Sequence, residues 1–158
     1  NRAQAKQDLN KSVELLPTAN AYNSLGNIAR REKRYDAAKA YYAKAAKDTS
    51  TPGQQALASL VELDLPDTPG KYLSVRLGVD KRGRTLAQVT NNTPKSVSGV
   101  VVGLQITDSS GRKRTGEIDV RSVIEAGKSV NVNLGLDNLD KKILQTLRAG
   151  VTRANVAR

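Results

Sequence analysis

The stretch Tyr22-Asn23-Ser24-Leu25-Gly26, followed at a distance by Ala38-Lys39-Ala40-Tyr41-Tyr42-Ala43-Lys44-Ala45, decides the reading of the first part of the chain. Large and small residues recur there at helical spacing, and small residues sit where two helices touch. Gly26 is therefore expected to meet Ala38 across a helix pair and let the two backbones approach closely. Tyr22, Leu25, Ile28 and Tyr42 then fill the space around that contact. Between the helices, Glu32-Lys33-Arg34-Tyr35-Asp36 supplies a polar turn.

Tyr22-x-x-Leu25-Gly26 with Ala38-x-x-x-Tyr42-x-x-Ala45 resembles one complete tetratricopeptide repeat (TPR). A shift of 33 residues toward the N-terminus brings Ala5, Leu9 and Ser12 under Ala38, Tyr42 and Ala45, with Pro17 closing the segment. Residues 2–16 thus resemble the second helix of a preceding repeat. Repeat arrays bury a continuous core only with roughly three units. Together with the absence of any Met, this leads to the expectation that the natural polypeptide extends further toward its N-terminus.

Working outward, Pro52 opens a third helical segment, expected over 54–63, with Ala56, Leu57, Leu60, Val61 and Leu63 on its apolar side. Leu65-Pro66-Asp67-Thr68-Pro69-Gly70 then stops helices and marks a domain boundary. Beyond it the period changes to alternation: Leu73-x-Val75-x-Leu77-x-Val79, Val100-x-Val102-x-Leu104-x-Ile106 and Val130-x-Val132-x-Leu134-x-Leu136. Turn chemistry at Asp80-Lys81-Arg82-Gly83, Asn91-Asn92-Thr93-Pro94, Asp108-Ser109-Ser110-Gly111 and Ala126-Gly127-Lys128 separates strands near 72–79, 85–90, 97–107, 114–120, 129–136 and 150–156. From Val97 to Val102 the alternation fails, which implies either a strand buried on both faces or a bulge near Gly99. A short helix is expected over 138–148.

The fold class that follows is α+β by domain: TPR-type antiparallel helix pairs over 1–66, then a small antiparallel β-sandwich with one short helix over 67–158. Val89-Thr90-Asn91-Asn92-Thr93, the long strand, Asp108-Ser109-Ser110-Gly111 and Ala126-Gly127-Lys128-Ser129 resemble bacterial immunoglobulin-like accessory domains. The order of the two parts also resembles the C-terminal region of a bacterial, cell-envelope, TPR-containing zinc metalloprotease. That resemblance implies a periplasmic or envelope location, with the cytoplasm left open. The His-Glu-x-x-His motif of such a protease is not in this chain, which has no histidine.

The lack of His and Cys removes imidazole bases, Ser-His-Asp triads, thiol nucleophiles, disulfides and ordinary zinc sites. Ser110-Gly111-Arg112-Lys113 matches a Ser-x-x-Lys pattern but falls in a hairpin turn, and Asp137 and Asp140 flank a helix start, where capping outweighs metal binding. No catalytic residue, cofactor or metal is expected, and the chain is read as a non-enzyme. Asn91-Asn92-Thr93 fits a glycosylation sequon and is read as turn chemistry; Asn10-Lys11-Ser12 fits one too, incidentally, in a helix. With no Phe or Trp and five Tyr, the core must be aliphatic.

Two features suggest binding. Asn20, Asn23, Asn27, Arg30 and Arg31 recur along the first TPR helix as a polar stripe. The TPR resemblance places this face in the concave groove, where Asn and Arg would grip a protein segment or peptide; a solvated face, or one packed on the second domain, is the other reading. The second feature is charge. Residues 1–70 hold ten Lys/Arg against eight Asp/Glu, whereas 71–158 hold sixteen against seven. Up-and-down strands would bring Lys81, Arg82, Arg84, Arg112, Lys113 and Arg114 to one end as a candidate anion-binding patch for an anionic membrane surface or acidic protein. Nucleic acid is disfavoured, because no aromatic lies near these turns for bases to stack on. Soluble hairpin tips are the plain alternative.

Overall fold

The computed structural model describes residues 2–108 and 110–157. The chain divides into two units, Asn1–Asp64 and Leu65–Arg158. Leu65, fully buried, belongs to the second.

The first unit is four helices: α1 (Arg2–Leu15), α2 (Ala19–Arg31), α3 (Tyr35–Ala45) and α4 (Thr51–Asp64). Helix α2 starts where Thr18, in extended backbone, accepts the Ala21 N–H on its hydroxyl at 3.2 Å. It ends at Arg31 with Glu32 as its cap, and Lys33, with a φ of 59°, then turns the chain left-handed. The Arg34 N–H then donates to the Ala29 carbonyl at 2.9 Å and the Lys33 N–H to the Arg30 carbonyl at 3.0 Å, a Schellman closure. The turn feeds α3, with Asp36 in its first turn offsetting the helix dipole.

The α2–α3 seam differs from expectation in one partner. A Cβ on Gly26 would lie 2.5 Å from two ring carbons of Tyr42, so the glycine makes room for the tyrosine ring rather than for Ala38. Ala29, Ala38, Tyr42, Ala45, Ala56 and Leu60 form the buried cluster of this unit. Four of the six are alanines, so the helices pack closely and Tyr42 supplies most of the filling volume.

Helix α4 begins at Thr51, a turn before the expected Gln54. Pro52 is tolerated because first-turn N–H groups have no intrahelical acceptor. Gly53 lies so close to the Asp48 carbonyl that no side chain fits there. Ala56, Leu60 and Val61 are buried, as the periodicity predicts.

The second unit opens with a short helix, α5 (Pro69–Tyr72), in the Pro/Gly segment. Six strands follow: β1 (Leu73–Val79), β2 (Arg84–Asn91), β3 (Val97–Thr107), β4 (Lys113–Val120), β5 (Ser129–Asp137) and β6 (Arg148–Val156), with α6 (Lys141–Thr146) before the last. They make two three-stranded antiparallel sheets, ordered β1-β2-β5 and β4-β3-β6, with no closed barrel. Ala87, Leu134 and Leu147 are buried, with the half-buried Val75, Leu77, Leu104, Ile106, Ile118 and Leu136 packed against them, so both sheets feed one apolar cluster.

Both readings of Val97 to Val102 apply. Gly99 has a φ of 58° and the β3–β6 register shifts between Ser98 and Val101, a bulge, while Val100, Val101 and Val102 are all buried. Helix α6 is shorter than the expected 138–148. Asn138 takes a φ of 52°, which a helix cannot include, and the Asp140 carboxylate caps the Lys142 N–H at 2.9 Å. Asp137 ends β5 opposite Arg84.

At one end of this unit Asn91 is fully buried. Its amide N–H groups donate to the carbonyls of Lys95, Ile124 and Glu125 at 2.8, 3.0 and 3.1 Å, and its oxygen accepts the Thr93 N–H at 3.0 Å. The side chain substitutes for backbone pairing in two loops. Turn chemistry is the role the structure gives this asparagine, since every polar atom of its amide is engaged.

Candidate interaction surfaces

On α2 the polar stripe is partly committed within its own unit. Asn23 is only 8% exposed. The Asn27 oxygen accepts the Tyr42 hydroxyl at 2.8 Å, and burial raises the pKa of that phenol. Arg30 pairs with Glu62 of α4 at 3.0 Å. Asn20 and Arg31, at the two ends of the stripe, are exposed. Asn27, although exposed as a residue, has its acceptor occupied, so Asn20 and Arg31 are the side chains with fully accessible polar groups. Beside the stripe, Lys44 sits over the Tyr22 ring, 5.3 Å from its centroid. Glu32 pairs with Arg34 and Lys6, and the Arg34 hydrogen bond is the main cause of its lowered pKa.

The six candidate cations of the second unit lie on two hairpins built alike. In the β1–β2 turn the Asp80 N–H donates to the Arg84 carbonyl and the Gly83 N–H to the Asp80 carbonyl, both at 3.0 Å. Its carboxylate accepts the N–H groups of Arg82 and Arg84 at 2.9 and 3.0 Å and pairs with the Arg84 guanidinium at 2.7 Å. In the β3–β4 turn the Asp108 N–H donates to the Arg112 carbonyl and the Gly111 N–H to the Asp108 carbonyl, both at 2.9 Å. The Asp108 carboxylate takes the N–H groups of Ser110 and Arg112 at 2.9 and 3.0 Å, with Arg112 and Arg114 at 3.6 and 3.5 Å. Gly83 and Gly111 have φ of 76° and 78°, the left-handed position such a turn needs. Ser109, part of the expected turn, lies outside the described residues.

The repeated Asp-x-x-Gly-Arg at 80–84 and 108–112 was readable from the sequence but is not a feature that charge counting isolates. It explains the depressed pKa of both aspartates. The Arg84 amide and guanidinium hold Asp80 down, and the Ser110 hydroxyl followed by the Arg112 amide holds Asp108 down.

The structure brings the two turns to the same end. The Asn138 N–H donates to the Gly83 carbonyl at 3.0 Å, just before α6. Thr146, closing α6, accepts the Thr107 N–H on its hydroxyl at 3.1 Å, while its own proton lies between the Ile143 carbonyl at 2.8 Å and the Thr107 carbonyl at 3.1 Å. Seven residues separate these anchors, five of them helical, so the anchored ends of the two turns are held within about 20 Å of each other. Arg84, Arg112 and Arg114 are drawn onto the aspartates. Among the described residues, Lys81, Arg82 and Lys113 make no ion pair, nor do Lys141 and Lys142 on α6.

Two concavities were not foreseen. A cavity of about 260 Å³ under α6 is lined by Leu77, Gly78, Val79, Thr85, Leu144 and Leu147. The Thr85 hydroxyl is buried with no hydrogen-bond partner. A shallow groove of about 560 Å³ crosses β4, β3 and β6, floored where Gly103 faces Gly150. Among the described residues no group of three potential ligands could hold a metal ion, and no helix is long and apolar enough to cross a membrane.

No family model and no curated protein matches the chain. Among solved structures, the trimeric lipoprotein SadB of Salmonella enterica is similar over 83% of this chain and 88% of its own, at 12% identity and a TM-score of 0.39. That is too distant to say what this chain does.

Proposed function

We propose that the chain is a non-catalytic interaction and scaffolding module of a larger bacterial protein, its helices of TPR type and its two sheets an immunoglobulin-like sandwich. The observation that carries this reading is the α2–α3 pair, where Gly26 lets the Tyr42 ring into the seam and leaves Asn20 and Arg31 as the accessible ends of a polar stripe. The absence of His and Cys agrees with a binding role rather than catalysis. The proposed ligand is an extended protein segment, its backbone met by the Asn20 amide and a carboxylate by the Arg31 fork. A cell-envelope location is proposed with it, on the resemblance of the domain order to envelope zinc metalloproteases; service as an accessory, partner-presenting region of such an enzyme is the alternative.

Selection from a displayed peptide library tests the reading. Wild type should enrich a defined segment whose affinity falls at least about tenfold in Asn20→Ala/Arg31→Ala, a loss of roughly 1.4 kcal/mol. No enrichment, or equal affinity of the double variant, would refute it.

A further inference from the structure

We propose that the α6 end of the second unit is a docking surface for an anionic lipid bilayer. This reading is independent of the peptide-binding one, since it uses neither α2 nor any residue of the first unit.

The two Asp-x-x-Gly-Arg turns explain how the surface arises. Each aspartate is enclosed by backbone N–H groups of its own turn and by arginine, so the only acids on the tips are spent inside them. Asp140 is likewise used as a helix cap. The unpaired cations outnumber the remaining acids: Lys81 and Arg82 on one tip, Lys113 on the other, and Lys141 and Lys142 on the helix between, against the exposed carboxylates of Asp137, opposite Arg84, and of the cap Asp140. The hydrogen bonds from Asn138 to Gly83 and between Thr107 and Thr146 fix these three pieces as one end of the unit. Val79, at the root of the first tip, is 50% exposed and adds an apolar contact at the level of the headgroups.

Lipid is favoured over nucleic acid by what this end lacks. All five tyrosines lie at or before residue 72, so no ring is on either tip for a base to stack on. An anionic leaflet needs no stacking; it attracts basic side chains held near its surface, and the effect falls off within a Debye length.

The test is co-sedimentation of the full chain with phosphatidylglycerol/phosphatidylcholine vesicles and with phosphatidylcholine alone. Lys81→Glu/Arg82→Glu/Lys113→Glu is compared with Lys11→Glu/Lys33→Glu/Lys47→Glu, an equal charge change made in the first unit. The substituted tip residues are exposed and unpaired, so circular dichroism should be unchanged. Expected are binding only to the anionic vesicles, loss of about 100-fold or more in the tip variant, a change of less than about threefold in the control, and release as salt rises from about 0.05 to 0.5 M. Absence of anionic-specific binding, equal losses in the two variants, or tighter binding to a single-stranded oligonucleotide than to vesicles would each overturn the proposal.

Discussion

Replacing Asn91 by Asp changes one nitrogen to one oxygen and nothing in size, yet it should be among the most damaging single changes in the second unit. The asparagine NH2 group faces three carbonyl oxygens, of Lys95, Ile124 and Glu125, at 2.8 to 3.1 Å. In Asn91→Asp at neutral pH an anionic oxygen faces them instead. At least two donated hydrogen bonds are lost, each worth about 1 kcal/mol net. The carboxylate is also fully buried, a few kcal/mol more. About 4 kcal/mol is the expected loss, a large share of the 5–15 kcal/mol typical of a whole domain. The new carboxyl has a raised folded-state pKa, because burial and the carbonyl oxygens both favour the protonated form, which can still donate one hydrogen bond. By linkage, the damage relative to wild type must shrink as pH falls through that raised value. Urea denaturation read by hydrogen exchange at strand β2 isolates this unit and gives the difference at pH 7 and near pH 4. A loss under about 1 kcal/mol at pH 7, or one that does not lessen in acid, would show that the three carbonyls are not held by this side chain.

Further consequences are open to the same kind of measurement. Thr85→Val keeps the shape and removes a buried hydroxyl without a partner, so it should raise stability by about 1 kcal/mol, seen as a higher urea midpoint with unchanged m-value. Gly26→Ala would place a methyl 2.5 Å from the Tyr42 ring, whose hydroxyl is tied to Asn27. Overpacking of about 1–3 kcal/mol should outweigh the roughly 1 kcal/mol helix-propensity gain, lowering the melting temperature of the first unit. Carboxyl NMR titration should find Asp80 and Asp108 below the ordinary aspartate range. Because their folded pKa is depressed, their contribution is present above the unfolded-state value and is lost as pH falls through the folded one, so the hairpin tips should loosen in acid.

Where local chemistry decides structure, the sequence sufficed. Alternation located β1, β3 and β5 and turn chemistry bracketed β2, β4 and β6, all to within about two residues, while helical spacing located α2 to α4 and a 33-residue recurrence of the pattern located α1. It fell short where a distant partner decides. Gly26 announced a close approach with Tyr42 nearby, but not that the Tyr42 ring itself, rather than Ala38, is what the glycine meets. Pro52 reads as opening a helix that begins at Gln54, yet it already stands inside the first turn of α4. The stripe on α2 was correct as a spacing and silent about its partners: Asn27 and Arg30 read as free polar groups until Tyr42 and Glu62 are placed beside them.

The two ends of the second unit use one device with opposite results. At each, an Asn or Asp side chain takes over backbone hydrogen bonds that strands leave unmade. Asn91 is neutral, so its loops can close over it and it is fully buried. Asp80 and Asp108 carry charge, which full burial would penalise by several kcal/mol; they stay near solvent and draw arginines onto themselves. Each carboxylate is matched by the arginines it draws in, and two such turns tied to one short helix bring their unpaired chain neighbours Lys81, Arg82 and Lys113 to the same end. The choice of Asp rather than Asn at two positions separates a sealed end from a charged one, so Asp80→Asn/Asp108→Asn should preserve the turns while making the charged end more basic. If the bilayer reading holds, that variant binds anionic vesicles at least as tightly as wild type; weaker binding would mean that the carboxylates organise the cations rather than merely offset them.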